Sequence, residues 1–490
     1  MSSSSAVFLT VFVVYLVLLQ GVGIWGAKRS KSGEDFLMAG RKIRTPILVG
    51  TTLATLVGTG SSLGAAGFGY ANGWAGVLYG IGGAAGVFAL LLLFANARKY
   101  NFMTFPEELG FYYGANKYLR AVVSIVLFVA EIGWLGVHIL GGATYLSYIT
   151  GIDPALSKVI VAVGFGLYTV VGGYMAVIIT DSIQGIILFG GFTLLAVLSL
   201  VLVGGFDGFS KLPDDMTSPF GVDKLGIIPA VSLAVVIGVG VLATPSYRQR
   251  IYSANSVATV RKSYLITGIL YGVFAVLPAI AGMSAHVLNP DLKNSDFAFP
   301  YLATQVFPVW VGALLLVSGL SATMSSASSD GATSVTILLR DVYRLFARGN
   351  LPPRHKVVFL SRLGLTVTLA VALGFSLLAT TIIDYISLMI SVVLTGLFVA
   401  SILGKFWKRA TWQGGIASIF SGAAAALVVN FNATLTAFWG GPVLPSLGVA
   451  LIFGVVVSLM TPRREISDEE TLRILAEERA VFDAEEKLTV

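Results

Sequence analysis

The residues with the most chemistry to offer lie in one stretch, Ser318-Gly319-Leu320-Ser321-Ala322-Thr323-Met324-Ser325-Ser326-Ala327-Ser328-Ser329-Asp330, where hydroxyls crowd an otherwise apolar run. Ala322, Ser325 and Ser326 stand at i, i+3 and i+4, so on a helix one backbone carbonyl and two hydroxyls share a face. Oxygens gathered in this way suit a hard cation such as sodium. Ser325, Ser328 and Ser329 repeat the spacing one step further and offer a second oxygen cluster that shares Ser325. Asp181 is the natural carboxylate to complete it, because an acid within a membrane is costly unless it pairs or binds a cation. The same serines could equally bond back to the preceding turn of their own helix, which membrane helices tolerate, and spacing alone leaves both readings open.

Glu131, Trp134 and His138 fall within seven residues on nearly one helical face of another apolar run. A glutamate at that depth is a functional residue by default. It could meet a cationic group of a solute, relay a proton, or stay neutral and hydrogen-bonded. Trp134 could pack or form a lid over a solute. A lone His138 is more often a satisfied interior histidine than a ligand. Enzyme chemistry finds little support: the histidines at 138, 286 and 355 make no metal-ligand pair at helical spacing, no Walker loop is present, and the absence of cysteine excludes thiolate chemistry.

Such residues need elements to hold them, and composition names the kind. Of 490 residues, 56% are hydrophobic and 12% charged, about half the charged fraction of a soluble protein. The formal charge of +7 gathers on no single face and matches no recognition module, which argues against a nucleic-acid partner. Apolar runs predict thirteen spans, near 7–26, 46–72, 76–96, 120–148, 157–176, 180–203, 227–248, 262–285, 304–339, 358–380, 384–404, 412–430 and 437–460. Residues 1–460 then form one all-α transmembrane domain in a lipid bilayer, and 461–490 a polar tail with Glu and Arg at helical spacing, a surface helix or a frayed end. The first run is preceded by no basic residue and followed by Lys28, Arg29, Lys31, Arg41, Lys42 and Arg44, which reads as a retained helix with the N-terminus outside. That orientation leaves only Lys158, Lys211, Lys224 and Lys293 of the 32 basic residues on external loops and puts the tail in the cytoplasm of a cell-membrane protein.

Two spans break their own helical rules. The second holds Val57-Gly58-Thr59-Gly60-Ser61-Ser62-Leu63-Gly64, and the seventh holds Gly238-Val239-Gly240-Val241-Leu242-Ala243-Thr244-Pro245. Interrupted segments at corresponding positions of two halves point to an inverted-repeat transporter whose unwound backbone lines a midplane site. The halves would be 46–203 and 227–404.

Three further stretches carry a resemblance. Thr104-Phe105-Pro106-Glu107-Glu108-Leu109-Gly110, Gly172-Gly173-Tyr174-Met175-Ala176-Val177-Ile178-Ile179-Thr180-Asp181-Ser182-Ile183-Gln184-Gly185, and Gln249-Arg250 with Ser253-Ala254-Asn255-Ser256 resemble the sodium:solute symporters over about residues 5–460. Members of that family carry sugars, proline, pantothenate, sialic acid, choline and monocarboxylates. The resemblance implies a leucine-transporter-like fold of thirteen helices with a 5+5 inverted repeat, and sodium-coupled symport. It places the main sodium site on Ala54, Val57, Ala322, Ser325 and Ser326. Similarity to sialic acid transporters places a second sodium on Asp181, Ser325, Ser328 and Ser329, and the full set of hydroxyls favours two ions per cycle. The solute stays open among amino acid, monocarboxylate, vitamin, sugar and choline-like compounds. The position of Glu131 and Trp134 resembles choline carriers, but their further tryptophans are replaced here by Gly, Thr and Ser at 58–62 and by Thr244, Pro245, Ser246 and Tyr247. The expected lining is Thr59, Ser62, Glu131, Trp134, His138, Thr244 and Tyr247. The main rival is a proton-coupled symporter using Glu131 or Asp181, with a channel or a membrane sensor further off.

Overall fold

The computed structural model describes residues 3–27, 38–169, 174–347, 354–379, 381–463 and 466–487. Lys28, Arg29 and Lys31 of the basic stretch, and Gly172-Gly173, lie outside them. Among the described residues the chain is helical, with one isolated bridge between Ile43 and Ala254 and no strand. A backbone that cannot hydrogen-bond to lipid must satisfy itself within helices, and the described residues of the apolar stretches are mostly helical. Among the described residues nine helices qualify as crossings by length and apolarity, ten when the bent pair Ile227–Ala243 and Pro245–Ser253 is joined, and Ala6–Val22, Thr45–Leu56 and Pro154–Phe165 are shorter apolar helices beside them. The edges differ from expectation where the chain chemistry changes. The ninth span is helical from Val309, after Pro308, and the last runs only Val443–Met460 because Gly440, Gly441 and Pro442 separate it from the short helix Ala433–Trp439.

Both expected breaks are present. The helix Thr45–Leu56 ends at Val57, whose φ of −82° and ψ of 63° leave the helical region, and the chain resumes through a wide turn, Gly60–Gly64, into Ala65–Asn72. In the seventh span Pro245 withholds a backbone donor and drives the preceding residue into extended geometry. Thr244 obeys, at φ −76° and ψ 128°, and the two half-helices meet at 45°.

The ninth-span helix, Val309–Ile337, packs against the sixth, Tyr174–Leu202, and the fourth, Lys117–Thr150. The second span's first half, Thr45–Leu56, lies against the sixth and ninth, so the two oxygen-rich segments are neighbours. The third span approaches the seventh closely at Gly82, where a β-carbon would come within 2.2 Å of the Ala234 carbonyl. The outer surface is apolar, with Leu92, Ile186, Trp310 and Met460 each at least three-quarters exposed, as lipid requires. The tail forms the helix Asp468–Lys487, and it docks: Leu475 is buried, Glu478 pairs with Arg120 at 2.8 Å and Arg344 at 3.1 Å, and Arg479 pairs with Glu107 at 3.2 Å.

Candidate functional site

A helix that stops inside a membrane leaves its last four carbonyls without helical donors. At the end of Thr45–Leu56 the Leu53 carbonyl keeps its helical donor, and the three carbonyls after it are met by hydroxyls. The Val57 amide donates to Leu53 O at 2.8 Å, Ser325 Oγ to Ala54 O at 2.8 Å, Ser326 Oγ to Thr55 O at 3.0 Å, and Ser61 Oγ to Leu56 O at 2.8 Å. Ser325 and Ser326 also reach back to Ala322 O, at 3.2 and 3.3 Å. The serines therefore bond back along their own helix and also cover carbonyls of the broken one. Carbonyl oxygens of Ala54 and Ala322 and the hydroxyls of Ser325 and Ser326 converge within hydrogen-bond length, all buried, with no side-chain charge bonded to them among the described residues. A hydroxyl oxygen that donates to a carbonyl keeps its lone pairs, so a small rotation turns donor and acceptor together into ligands for a cation. Val57 is buried, and its ψ of 63° turns its carbonyl out of the helical direction.

One turn further along the ninth span the surroundings change. Asp181 Oδ2 accepts from Thr51 Oγ1 at 2.9 Å, Ser329 Oγ at 2.9 Å and the Arg250 guanidinium at 3.0 Å, while Ser328 Oγ stands 3.4 Å from Oδ1. Asp181 and Arg250 are both wholly buried. Arg250 was visible in the Gln249-Arg250 motif but carried no site role there; the signal was its charge just past the broken seventh span, since a membrane-buried cation must find a partner. Thr51 and Thr55 give no such signal, because hydroxyls in membrane helices usually bond to their own backbone, as Thr55 also does to Thr51 O.

The expected solute lining gathers in two pairs around the breaks. Trp134 Nε1 donates to Thr244 Oγ1 at 3.0 Å, joining the fourth span to the bend of the seventh. His138 lies between Thr59 Oγ1, 3.0 Å from Nδ1, and Asp330 Oδ2, 3.0 Å from Nε2, so it ties the broken second span to the ninth. Asp330 as the partner of His138 is a residue that sequence reasoning left without a role. Ser62 turns its hydroxyl back to Gly58 O at 2.6 Å, and Tyr247 is buried with its carbonyl bonded by Tyr264. Glu131 is buried with neither carboxyl oxygen hydrogen-bonded among the described residues. A cavity of about 470 Å³ opens elsewhere, lined by Gly133, Asp384, Tyr385 and Met389 among others, and none of the expected lining residues borders it.

Helices broken within apolar spans, with hydroxyls of a neighbouring helix covering the freed carbonyls, belong to a membrane protein of leucine-transporter-like fold. Residues 36–422 match the model of the Sodium:solute symporter family, and the chain belongs to that family of sodium-coupled solute symporters. It is 25% identical over 471 residues to the sodium/pantothenate symporter of Haemophilus influenzae, covering 92% of this chain and 96% of that one. It is 27% identical over 471 residues to the high-affinity proline transporter PutP of Bacillus subtilis, covering 91% and 97%. In three dimensions it is similar to a Na+-coupled sialic acid symporter in a substrate-bound outward-open state, with a TM-score of 0.80 at 20% identity over 94% of this chain and 99% of that one. The protein is thus a transporter, not an enzyme, and sodium is its coupling ion.

Proposed function

We propose that this symporter takes up a small polar organic solute across the plasma membrane, driven by sodium held on Ala54, Val57, Ala322, Ser325 and Ser326. The N-terminus lies outside and the docked tail in the cytoplasm, in keeping with the basic residues of the loops. The observation that carries the reading is the cover of Ser325 and Ser326 hydroxyls over the Ala54 and Thr55 carbonyls at the break. Sodium entering there draws the broken second span against the ninth, which steadies Thr59 and His138 beside the solute pocket and favours closure toward the exterior. The pocket lies between the two breaks, lined by Thr59, Ser62, Glu131, Trp134, His138, Thr244 and Tyr247. Relatives named for pantothenate, proline and glucose support a solute among vitamins, amino acids and sugars, with monocarboxylates and choline-like compounds kept in the test set. Asp181, Ser328 and Ser329 with Ser325 form the second oxygen set. Each sodium contributes ~2.3 kcal/mol per 100 mV and ~1.4 kcal/mol per tenfold gradient, so one ion supports accumulation of several hundredfold and two about 10⁵-fold.

A solute screen by thermal shift, in sodium and in potassium, tests this, followed by uptake of the solute it finds. Ser326→Ala is expected to raise the sodium concentration for half-maximal uptake about tenfold or more, and an unchanged sodium requirement would count against the site. One observation favours a second reading. Glu131 is a buried carboxyl without a hydrogen-bond partner among the described residues, as a proton carrier between transfers would be. Uptake that follows pH and ignores sodium would select it.

A further inference from the structure

The terminal nitrogen Nη2 of Arg250 carries two hydrogens, yet four side-chain oxygens surround it. Asp181 Oδ2 lies at 3.0 Å, Thr51 Oγ1 at 3.0 Å and Ser329 Oγ at 2.7 Å, and Thr55 Oγ1 completes the set. Three of these oxygens are themselves hydroxyls that can turn a lone pair inward, and Thr55 and Ser329 lie 3.0 Å from each other across the cage. The nitrogen therefore sits where a coordinated cation would sit, among one carboxylate and three hydroxyls drawn from the second, sixth and ninth spans. The second nitrogen of the guanidinium, Nη1, is anchored to Ser246 O at 3.0 Å in the half-helix that follows the seventh-span break. Every residue of the cage is buried, Thr55 being the most open at 4% exposure.

We propose that Arg250 is a tethered cation that fills this cage in place of a second sodium, so that the chain binds one sodium, at the first set alone. The inference rests on the first sodium site proposed above. A buried carboxylate attracts one positive charge strongly, but a second positive charge a few Å from the first meets both their repulsion and a carboxylate already neutralised. Oxygen spacing along the ninth span counts hydroxyls for two ions; it does not count the guanidinium that the seventh span brings to Asp181 and Ser329, two of the four residues of the second set. The anchor on Ser246 also gives the arginine a working role beyond charge balance. It couples the half-helix after the seventh-span break to the second-span segment that ends at the first sodium site, so both breaks are held through one side chain.

The test is equilibrium binding of radiolabelled sodium to the detergent-purified full chain without solute. The wild type is expected to bind one ion per chain, Arg250→Gln twice as many, and Arg250→Lys, which keeps the charge, one. Two ions on the wild type overturn the proposal and leave the first site standing, and this count does not depend on how a variant folds. A count that stays at one in a folded Arg250→Gln also overturns it. Sodium binding that Ser326→Ala leaves unaltered overturns the first-site reading instead.

Discussion

The two oxygen sets on the ninth span are one helical turn apart and differ in what completes them. At Ser325 and Ser326 the partners are carbonyls of a broken helix, polar but uncharged, so a free cation is needed to bring net charge to the set. At Ser329 the partners are a carboxylate and a guanidinium, and the charges already balance inside the protein. Hydroxyl spacing is alike in both; the difference comes from the neighbouring spans. A neutral set opens and refills at modest cost, whereas breaking a buried ion pair leaves a charge without compensation. Under the proposed function the first set turns over with the ion and the second holds position.

The largest expected effect follows from breaking that balance. Asp181→Asn strands the Arg250 charge and should lower stability by about 3–5 kcal/mol, read as a fall in thermal midpoint in detergent. Pairing it with Arg250→Met should recover part of the loss, since both partners of the buried pair are then gone. A double variant as unstable as Asp181→Asn alone would show that the two residues do not act as a balanced pair.

Asp296 shows what a buried carboxylate does without a guanidinium. It lies in the loop before the ninth span, its Oδ2 accepts the Ile382 amide at 3.0 Å, and its Oδ1 lies against Gly67 of the second span's latter half. Burial pushes its carboxyl up to about 7, against the lowering effect of the Ile382 amide, and nearby Asp384 adds to the rise. Because the folded value lies above the ordinary value of about 3.9, the stabilisation is complete below about pH 4 and is lost as pH rises toward about 7. The thermal midpoint should therefore fall between about pH 4 and pH 7, through a change on the order of 2–4 kcal/mol. Asp296→Asn should flatten that profile, and a profile unchanged by the substitution would place the titration elsewhere.

How much of this was legible beforehand depends on the range of the signal. The helical membrane fold follows from apolar runs, and the two breaks from Gly58, Gly60, Gly64 and Pro245, because both act within a few residues of chain. The bonds of Ser325 to Ala54 and of Ser326 to Thr55 could not be read from their own spacing, which also fitted serines bonded back along one helix. Arg250 reaches Asp181 across 69 residues and Ser329 across 79, and no periodicity reports a contact of that kind. The role of Asp330 was hidden for the same reason, being set by His138 at a separation of 192 residues. The tail's docking depends on Leu475, Glu478 and Arg479 facing the chain, which a charge pattern consistent with a solvated helix did not reveal.

A smaller effect sharpens the account of the neutral set. A β-carbon on Gly58 would lie 2.6 Å from Ser326 Oγ, and the simplest relief is rotation of that hydroxyl away from Thr55 and Ala322. Gly58→Ala should thus raise the sodium requirement about tenfold, equivalent to ~1.4 kcal/mol, with little change in thermal midpoint in potassium. A large loss of stability with unaltered sodium dependence would mean that Gly58 serves packing and not the ion.

The smallest effect comes from the ion pairs that water reaches. Burial acts to raise the Glu478 carboxyl, but Arg120 and Arg344 more than offset it and hold the group below its ordinary value. Its contribution is therefore present above the ordinary carboxylate range of about 4 and is lost as pH falls through the lower folded value. Solvent and salt screen such pairs, so Glu478→Gln should cost about 0.5–1 kcal/mol at low ionic strength and less in about 1 M potassium chloride. The Asp181 variant should show no comparable relief by salt, because ions in solution do not reach a pair with no exposed surface. Equal salt sensitivity at the two places would mean that water enters the Asp181 cage during ordinary motion, and its charge balance would then no longer distinguish it from the set that turns over.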